Sequence, residues 1–314
     1  MTEIGKSQLS GRLAYFGKGL FRQLLPYSIA RLRRDMLLQA ATRHPDISEI
    51  EDRAAYYNKL SSPIDASCAP KVSEIDRSKS RYYLDLNEDC RGFGPSRRLN
   101  YLFGDVINVP TAPTFVKSRP IGSSNENSII LKLDKLRHFR WTPDPVPFRD
   151  KKPSAVWRGT PLTKQREQFV RTFYNHPSFD IGQSRHFVDD LAPKGSLSHR
   201  EQKEHKFFVS IEGHDVATNL KWAMASNMLV MSPTLRYETW FMEGRLEPGK
   251  HFVLLEDDFS DLEEKVDYYT RHPKEAEEII DQAHAWVNLF TDPLKECIIS
   301  TRVLEKYFRL SGQF

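Results

Sequence analysis

The strongest constraint in this sequence is the alternation of short strand patterns and helical patterns between residues 155 and 290. The predicted strands lie at 155–159, 207–211, 228–232 and 251–255, and helical patterns lie at 161–175, 216–226, 260–271 and 273–290. Such alternation is typical of an α/β fold with a parallel, doubly wound sheet. Ligands of these sheets bind at the carboxyl ends of the strands, so the loops that follow the strands are the first candidates for a site.

The chain before residue 150 is less regular. We predict strands at 82–86, 99–106 and 129–133, which allows a second sheet in this half. A cluster of prolines at 143, 145, 147 and 153 is typical of a connection between domains. The sequence therefore predicts an N-terminal domain at 1–150, a C-terminal domain at 151–290 and a last helix at 291–314 that packs back on the N-terminal domain.

The N-terminal segment 8–41 is predicted to be helical, with a break at Pro26. Residues 1–40 carry seven Lys and Arg side chains and two acids, interspersed with leucines and phenylalanines. One interpretation is a basic amphipathic surface that contacts an anionic membrane. The alternative is a helix whose apolar face packs on the domain while its charges are solvated.

Several classes of function are excluded by missing patterns. The chain has no G-x-G-x-x-G, no G-x-x-x-x-G-K-[ST], no H-E-x-x-H and no G-x-S-x-G. It also has no Asp-x-Asp, so we expect no metal site and no bound cofactor. The net charge of +4 is not arranged as a continuous basic face with aromatics, which argues against a nucleic-acid partner. Three cysteines without a C-x-x-C pattern favour a reducing, cytoplasmic location, and no signal segment is predicted.

The most informative local feature is the sequence S-I-E-G-H-D-V-A-T-N-L-K-W at 210–222. A buried strand passes through Gly213 into the start of a helix, where free N–H groups and a positive helix end favour an anion such as a diphosphate. Thr218 and Asn219 add donors, and Lys221 adds charge. The alternative is that Asp215 simply caps an ordinary helix.

Four motifs in order make the chain resemble glycosyltransferase family 90. They are G-D-V at 104–106 followed by F-V-K-S-R-P-I at 115–121, V-W-R-G-T at 156–160, E-G-H-D-V-A-T-N-L-K-W-A-M-A-S-N at 212–227, and Y-E-T-W-F-M-E-G-R-L-E-P-G at 237–249. The resemblance covers roughly residues 80–290 and is closest to the bacterial lipopolysaccharide branch. It implies a GT-B-like fold, in which two Rossmann-like domains face a central cleft, and an inverting reaction that needs no metal.

The resemblance also implies a catalytic base. Asp105 falls where the animal enzymes of the family have theirs, and an inverting transfer needs one carboxylate to deprotonate the acceptor hydroxyl. We expect Asp105 to end a strand, where it is held rigidly. The alternative is an aspartate that caps the turn after Gly104. Asp215 is the reserve candidate for the base.

For the donor, Arg158 matches the phosphate-contacting arginine of the family, with a surface ion pair as the alternative. Where the animal branch has arginines, this chain has Glu212 and Asn219, so we expect Glu212 to accept from a ribose or sugar hydroxyl. The full set of predicted donor-binding residues is Arg158, Gly159, Thr160, Glu212, Gly213, Thr218, Asn219, Lys221, Arg119 and Glu238.

These features predict a hexosyltransferase that moves glucose or galactose from a UDP-sugar to a lipopolysaccharide or lipooligosaccharide core. Its partners are then the UDP-hexose and a glycan or lipid-linked acceptor, at the inner face of the cytoplasmic membrane. The alternatives are the same fold acting on a capsule glycan or a protein hydroxyl, or a non-catalytic protein that binds glycan or nucleotide.

Overall fold

The structure is a computed structural model that describes the backbone of residues 3–314 and the side chains of residues 11–314. Of the predicted segment 8–41, the side chains of residues 8–10 lie outside this part. The chain divides into two compact units. The first unit contains the described residues up to Arg137 together with Asp292–Phe314, and the second is His138–Thr291.

The helices, in chain order, are α1 (Glu3–Leu24), α2 (Tyr27–Arg43), α3 (Ile47–Tyr57), α4 (Ser80–Cys90), α5 (Lys135–His138), α6 (Lys164–Phe173), α7 (His199–Gln202), α8 (Asn219–Met224), α9 (Leu262–Arg271), α10 (Pro273–Asn288) and α11 (Pro293–Leu310). The strands are β1 (Asn100–Tyr101), β2 (Thr114–Val116), β3 (Ser118–Pro120), β4 (Ser128–Ile130), β5 (Lys152–Gly159), β6 (Asp180–Gln183), β7 (His205–Val209), β8 (Leu229–Ser232), β9 (Tyr237–Thr239) and β10 (Val253–Leu254). Among residues 3–314, none of these helices combines the length and the apolar composition needed to cross a bilayer.

The first unit contains a three-stranded parallel sheet in the order β1-β2-β4, which confirms a sheet in the N-terminal half. Its core is built around α11, which packs against α2, α3 and α4. The predicted break at Pro26 is also confirmed, because α1 ends at Leu24 and α2 begins at Tyr27. Proline lacks the backbone N–H that would continue the helix.

One of the predicted strands in this unit is wrong, and a second is confirmed only in part. Residues 82–86 lie in α4, where Tyr82, Leu86 and Cys90 are all buried. A short apolar run does not distinguish a buried helix from a strand, which is why the pattern misled. The predicted strand at 99–106 is reduced to β1, which ends at Tyr101, and the chain then turns at Gly104, whose φ is 115°. Asp105 therefore lies in a loop, and not at the end of a strand.

The second unit contains a five-stranded sheet in the order β10-β8-β7-β5-β6, with every pair parallel. This confirms the parallel α/β sheet predicted from the alternation of patterns. The first strand, β5, pairs with β6 on one side and with β7 on the other. The order of the strands reverses at this point, and open α/β sheets bind their ligands beside such a reversal.

Side chains alternate between the two faces of β5. Ala155 and Trp157 join a buried aromatic core with Phe169 of α6 and Phe259. On the opposite face of the sheet, Phe208 of β7 contacts Trp222 of α8. Trp222 is buried there.

Phe169→Ala should lower the free energy of unfolding of the second unit by about 3–5 kcal/mol, because it leaves a cavity in a closed aromatic core. The Phe169 ring is fully buried, and its centroid lies 4.7 Å from that of Phe259. All five tryptophans lie between residues 141 and 286, so tryptophan fluorescence during urea unfolding reports on this unit. Phe187→Ala, at a ring that is 48% exposed, is the control and should change stability little.

Candidate functional site

A cleft of about 440 Å³ opens at the carboxyl edge of the sheet in the second unit. Its walls are the loops that follow β5, β7 and β8. The residues that line it are Thr163, Lys164, Gln165, Glu212, Gly213, His214, Arg236 and Tyr237. The cleft thus lies beside the reversal of strand order, where the topology of the sheet favours a ligand.

The first wall is the start of α6. Thr163 caps this ten-residue helix, and its hydroxyl accepts from the Arg166 backbone N–H at 3.3 Å. The free N–H groups of the first turn and the positive helix end favour an anion. Lys164 is exposed in this first turn. The same turn ends with Glu167, whose carboxylate lies 2.9 Å from Nε of Arg171, so Lys164 adds positive charge at the start of the helix.

Arg166 joins the loops after β5 and β7. Its guanidinium donates to the Ile211 carbonyl oxygen at 2.7 Å and to the Thr160 carbonyl oxygen at 3.3 Å. A Cβ on Gly213 would lie 3.3 Å from Nη2 of Arg166, so glycine allows this close packing. The result is a fixed spacing between the two loops that carry the cleft.

Glu212 forms the second wall. Its Oε1 accepts from the backbone N–H groups of Arg236 at 3.1 Å and of Tyr237 at 3.0 Å. Burial raises the pKa of this carboxyl to about 7, against 4.5 for an ordinary glutamate, and the two backbone donors only partly oppose the rise. Near neutral pH the group therefore exists in both forms, and it donates a hydrogen bond when protonated.

Arg236 supplies a charge at the exposed rim. Its guanidinium Nη2 lies 2.9 Å from Oδ2 of Asp257, and both side chains are more than half exposed. An exposed ion pair of this kind is weak, so the guanidinium can exchange its partner for a ligand anion at little cost.

Among the predicted donor-binding residues, Glu212 and Gly213 line this cleft. Thr160 accepts from Arg166 at its edge, and the Gly159 carbonyl accepts from Ser184. A Cβ on Gly159 would lie 2.9 Å from the Trp157 ring, so glycine is needed here for packing.

The loop after Gly213 forms an internal network. The Gly213 N–H donates to the Asp215 carbonyl oxygen at 2.9 Å, and the Asp215 side chain is buried. Oδ1 of Asn219 accepts from the Ser210 hydroxyl at 3.1 Å, and Thr218 precedes α8 without a side-chain capping bond. Because α8 has only six residues, its dipole is weaker than that of α6.

Three predicted cationic side chains have internal partners. Nζ of Lys221 lies 2.7 Å from Oε1 of Glu243, and both side chains are almost completely buried. Nη2 of Arg158 lies 2.5 Å from Oδ1 of Asp180. Arg119, in the first unit, donates to the backbone carbonyls of Tyr56, Tyr57 and Ser128. Glu238 is buried directly after Tyr237. The roles predicted for these four residues in donor binding stay predictions.

Most of the cleft lining was not among the residues predicted from the sequence. Thr163, Lys164 and Gln165 follow W-R-G-T after Pro161 and Leu162, and a threonine directly before a helical pattern is a recognisable signal of a helix start. Arg236 directly precedes Y-E-T-W. His214 lies within the motif at 212–227 and had no predicted role.

Asp105 lies in the first unit, in a loop that is fixed on both sides. Nζ of Lys79 donates to the Phe103 carbonyl oxygen at 2.8 Å, and the Val106 N–H donates to the Ser118 hydroxyl at 3.3 Å. Nζ of Lys117, which is 2% exposed, donates to Oδ1 of Asp105 at 2.6 Å. The carboxylate itself is 33% exposed, so it is oriented by a buried ammonium group and still reaches solvent.

A second carboxyl, Asp134, belongs to the same polar cluster. It is fully buried at a positive φ of 55°, and burial raises its pKa, against the charges of Arg81, Arg137 and Lys117. Within the part of the chain that the structure describes, its two carboxyl oxygens accept no hydrogen bond, and Nε of Arg81 lies 3.4 Å from Oδ1.

No group of three or more His, Cys, Asp or Glu side chains among the described residues has the arrangement of a metal site. The expectation that the protein needs no metal stays a prediction.

Lys221→Met should lower the free energy of unfolding by about 3–5 kcal/mol, because it leaves the buried carboxylate of Glu243 without its counter-charge. Urea unfolding measures this. Lys250→Met is the matched control, since Lys250 pairs with Glu247 on the surface and should contribute less than about 1 kcal/mol. A stable Lys221→Met protein with weakened UDP-sugar binding would instead make Lys221 a donor ligand.

Glu212→Gln should remove a pH dependence of stability. A carboxyl whose folded-state pKa is raised from 4.5 to about 7 contributes stability that is complete below pH 4.5 and is lost as the pH rises through 7. The stability of wild type relative to the glutamine variant should therefore fall across this window and level off above it. Urea unfolding from below pH 4.5 to above pH 7 tests this, with Glu278→Gln as the baseline for removing an exposed carboxyl. A constant difference would contradict it.

Comparisons with known proteins confirm the resemblance to this family, and the matched region contains three of the four motifs. The family model described as Glycosyl transferase family 90 matches residues 133–310. An O-glucosyltransferase LpsA from Dichelobacter nodosus is 46% identical over 265 residues, which cover 83% of each chain. The human protein O-glucosyltransferase 3 is 26% identical over 160 residues, 49% of this chain and 31% of the human protein. The family match spans more than half of the chain and the bacterial relative spans most of it, so this protein belongs to glycosyltransferase family 90.

Proposed function

We propose that this protein is an inverting, metal-independent hexosyltransferase that moves a sugar from a UDP-hexose to a lipopolysaccharide or lipooligosaccharide core. The observation that carries the proposal is the cleft beside the reversal of strand order in the second unit. It combines the start of α6, two cationic side chains and a carboxyl group in one place. These are the groups that a nucleoside diphosphate sugar needs for its phosphates and its hydroxyls.

In this proposal the diphosphate binds at the first turn of α6. The free N–H groups there, with Lys164 and Arg236, supply positive charge where the leaving UDP gains negative charge. Stabilising that charge is usually the largest single contribution to such a reaction. Glu212 accepts from a ribose or sugar hydroxyl when ionised. The relative from D. nodosus is named an O-glucosyltransferase, which supports glucose as the hexose.

Asp105 is the proposed base. Its carboxylate takes the proton of the acceptor hydroxyl while that oxygen forms a bond to C1 of the sugar. The bond between C1 and the UDP oxygen breaks on the opposite face, and the configuration at C1 inverts. Lys117 holds Oδ1 of Asp105, so the base is oriented before the acceptor arrives.

The fold class, the domain roles, the independence from metal and the location are also proposals. We propose a GT-B class for the two units, since each contains a parallel sheet. We also propose the domain roles expected from the sequence, with the acceptor on the side of 1–150 and the nucleotide on the side of 151–290. The absence of Asp-x-Asp supports catalysis without a metal. The proposed location is the cytoplasmic face of the inner membrane, where a lipid-linked core acceptor is accessible.

The test is release of UDP from UDP-glucose, UDP-galactose and UDP-xylose with a core oligosaccharide acceptor and EDTA. The wild type should release UDP from one donor in EDTA. Asp105→Asn should reduce the rate by a factor of roughly 10²–10⁴, since it removes the base but keeps the shape of the side chain. Asp189→Asn, at an exposed aspartate of the second unit, is the matched control and should leave the rate unchanged.

Binding of UDP to Asp105→Asn, measured by calorimetry, separates loss of the base from loss of the fold. Normal UDP affinity with no transfer supports the proposed role. Unchanged transfer in this variant would remove Asp105 from the mechanism, and loss of activity in EDTA that magnesium restores would contradict metal independence. Wild-type protein that binds UDP but transfers no hexose to any acceptor would favour the non-catalytic alternative.

A further inference from the structure

The first two helices each expose large apolar side chains along one side. On α1, four large apolar side chains recur at helical spacing along one side, and their exposed fractions lie between 60% and 82%: Leu13, Leu20, Phe21 and Leu24. On α2 three more follow the same spacing, with 46% to 62% exposed: Ile29, Leu32 and Met36. We call these seven residues the apolar stripe. Contiguous exposed apolar surface marks an interaction site.

The orientation of α1 is fixed by its opposite side. The Tyr15 hydroxyl donates to Oδ1 of Asp85 in α4 at 2.8 Å, and Arg22 lies 2.7 Å from Glu88 of the same helix. A Cβ on Gly19 would lie 2.8 Å from the Leu84 side chain, so glycine allows α1 to lie close to α4. The helix therefore packs through its small and polar side and leaves the apolar stripe to solvent.

Positive charge surrounds the stripe. Residues 11–43 contain seven Lys and Arg side chains and one acid, Asp35. Arg12, Lys18 and Arg31 are exposed, and the structure shows no ion pair for them among the described side chains. At about 100° per residue, Arg12 and Lys18 lie on opposite sides of the stripe on α1. Apolar residues flanked by cations are the composition of a helix that lies in the plane of an anionic membrane.

We propose that α1 and α2 form a docking surface for an anionic lipid bilayer. The apolar stripe enters the boundary between headgroups and acyl chains, and the flanking cations contact lipid phosphates.

A second copy of the chain is a poorer occupant, because a symmetric pair would bring two strongly basic surfaces together. The small cavity behind these helices is a poorer phosphate site, since its Arg22 and Arg33 already face Glu88. The proposal depends on neither the donor nor the acceptor assigned above.

Cosedimentation of the full chain with vesicles tests the proposal. Wild type should bind vesicles of phosphatidylglycerol and phosphatidylcholine, bind phosphatidylcholine alone far more weakly, and dissociate as salt is raised. The triple variant Leu20→Gln, Phe21→Gln, Leu24→Gln should bind anionic vesicles at least about tenfold more weakly. Glutamine keeps helix propensity, and circular dichroism verifies the fold. Leu162→Gln with Leu294→Gln, at exposed leucines elsewhere, is the control and should bind as wild type does.

Neutralising the exposed cations of α1 and α2 measures their contribution to membrane binding. Arg12→Gln, Lys18→Gln and Arg31→Gln together should weaken binding to anionic vesicles and remove most of its salt dependence. Failure of the wild type to bind anionic vesicles, or equal binding by the stripe variant, would overturn the proposal. So would a wild-type dimer in sedimentation velocity that the stripe variant abolishes, because the surface would then be an interface between copies. UDP release without membranes is unaffected in every case, so failure here leaves the proposed catalysis untouched.

Discussion

The pairing of β5 with both β6 and β7 is the constraint on which the second unit depends. Since β5 comes first in the chain, the next strand can occupy only one of its sides, and the chain must cross over to place β7 on the other. Two loops then leave adjacent strands in opposite directions, and a cleft opens between them. Arg166 fixes its width by donating to carbonyls on both loops. The site is thus a consequence of strand order, and its side chains only adapt it to a ligand.

How much of this was predictable follows from the range of each interaction. Strand and helix periodicity is local, so the parallel sheet and the break at Pro26 could be predicted. The direction in which a buried lysine points is decided by residues far along the chain. Lys221 is predicted to contact phosphate because it follows a glycine turn, and its acidic partner Glu243 lies more than twenty residues farther along the chain. Sequence spacing cannot show which cation already has an internal acid.

The same reasoning explains the error around Asp105. The alternation at 99–106 is a fair strand pattern, but β1 ends at Tyr101 and the chain then turns at Gly104, which has a positive φ. The loop orients Asp105 more firmly than the predicted strand would, which supports its proposed role as the base. A strand edge would fix the backbone alone, whereas the loop is held by Lys79 and Ser118 while Lys117 fixes the carboxylate. Rigidity here comes from side-chain contacts between residues well separated in the sequence, which a local pattern does not contain.

A glutamate in a cleft proposed for a diphosphate needs a physical reason, because a carboxylate repels phosphate. Burial supplies one by raising the pKa of Glu212 to about 7, so that near neutral pH a large fraction of the group is uncharged. The uncharged carboxyl donates one hydrogen bond and repels nothing, while its other oxygen keeps the backbone N–H groups of Arg236 and Tyr237. The exposed cations Lys164 and Arg236 then give the cleft a net positive charge, which a fully ionised Glu212 would reduce. The Glu212 carboxyl holds the loop after β8 through two backbone hydrogen bonds, and the exposed cations Lys164 and Arg236 make the cleft positive.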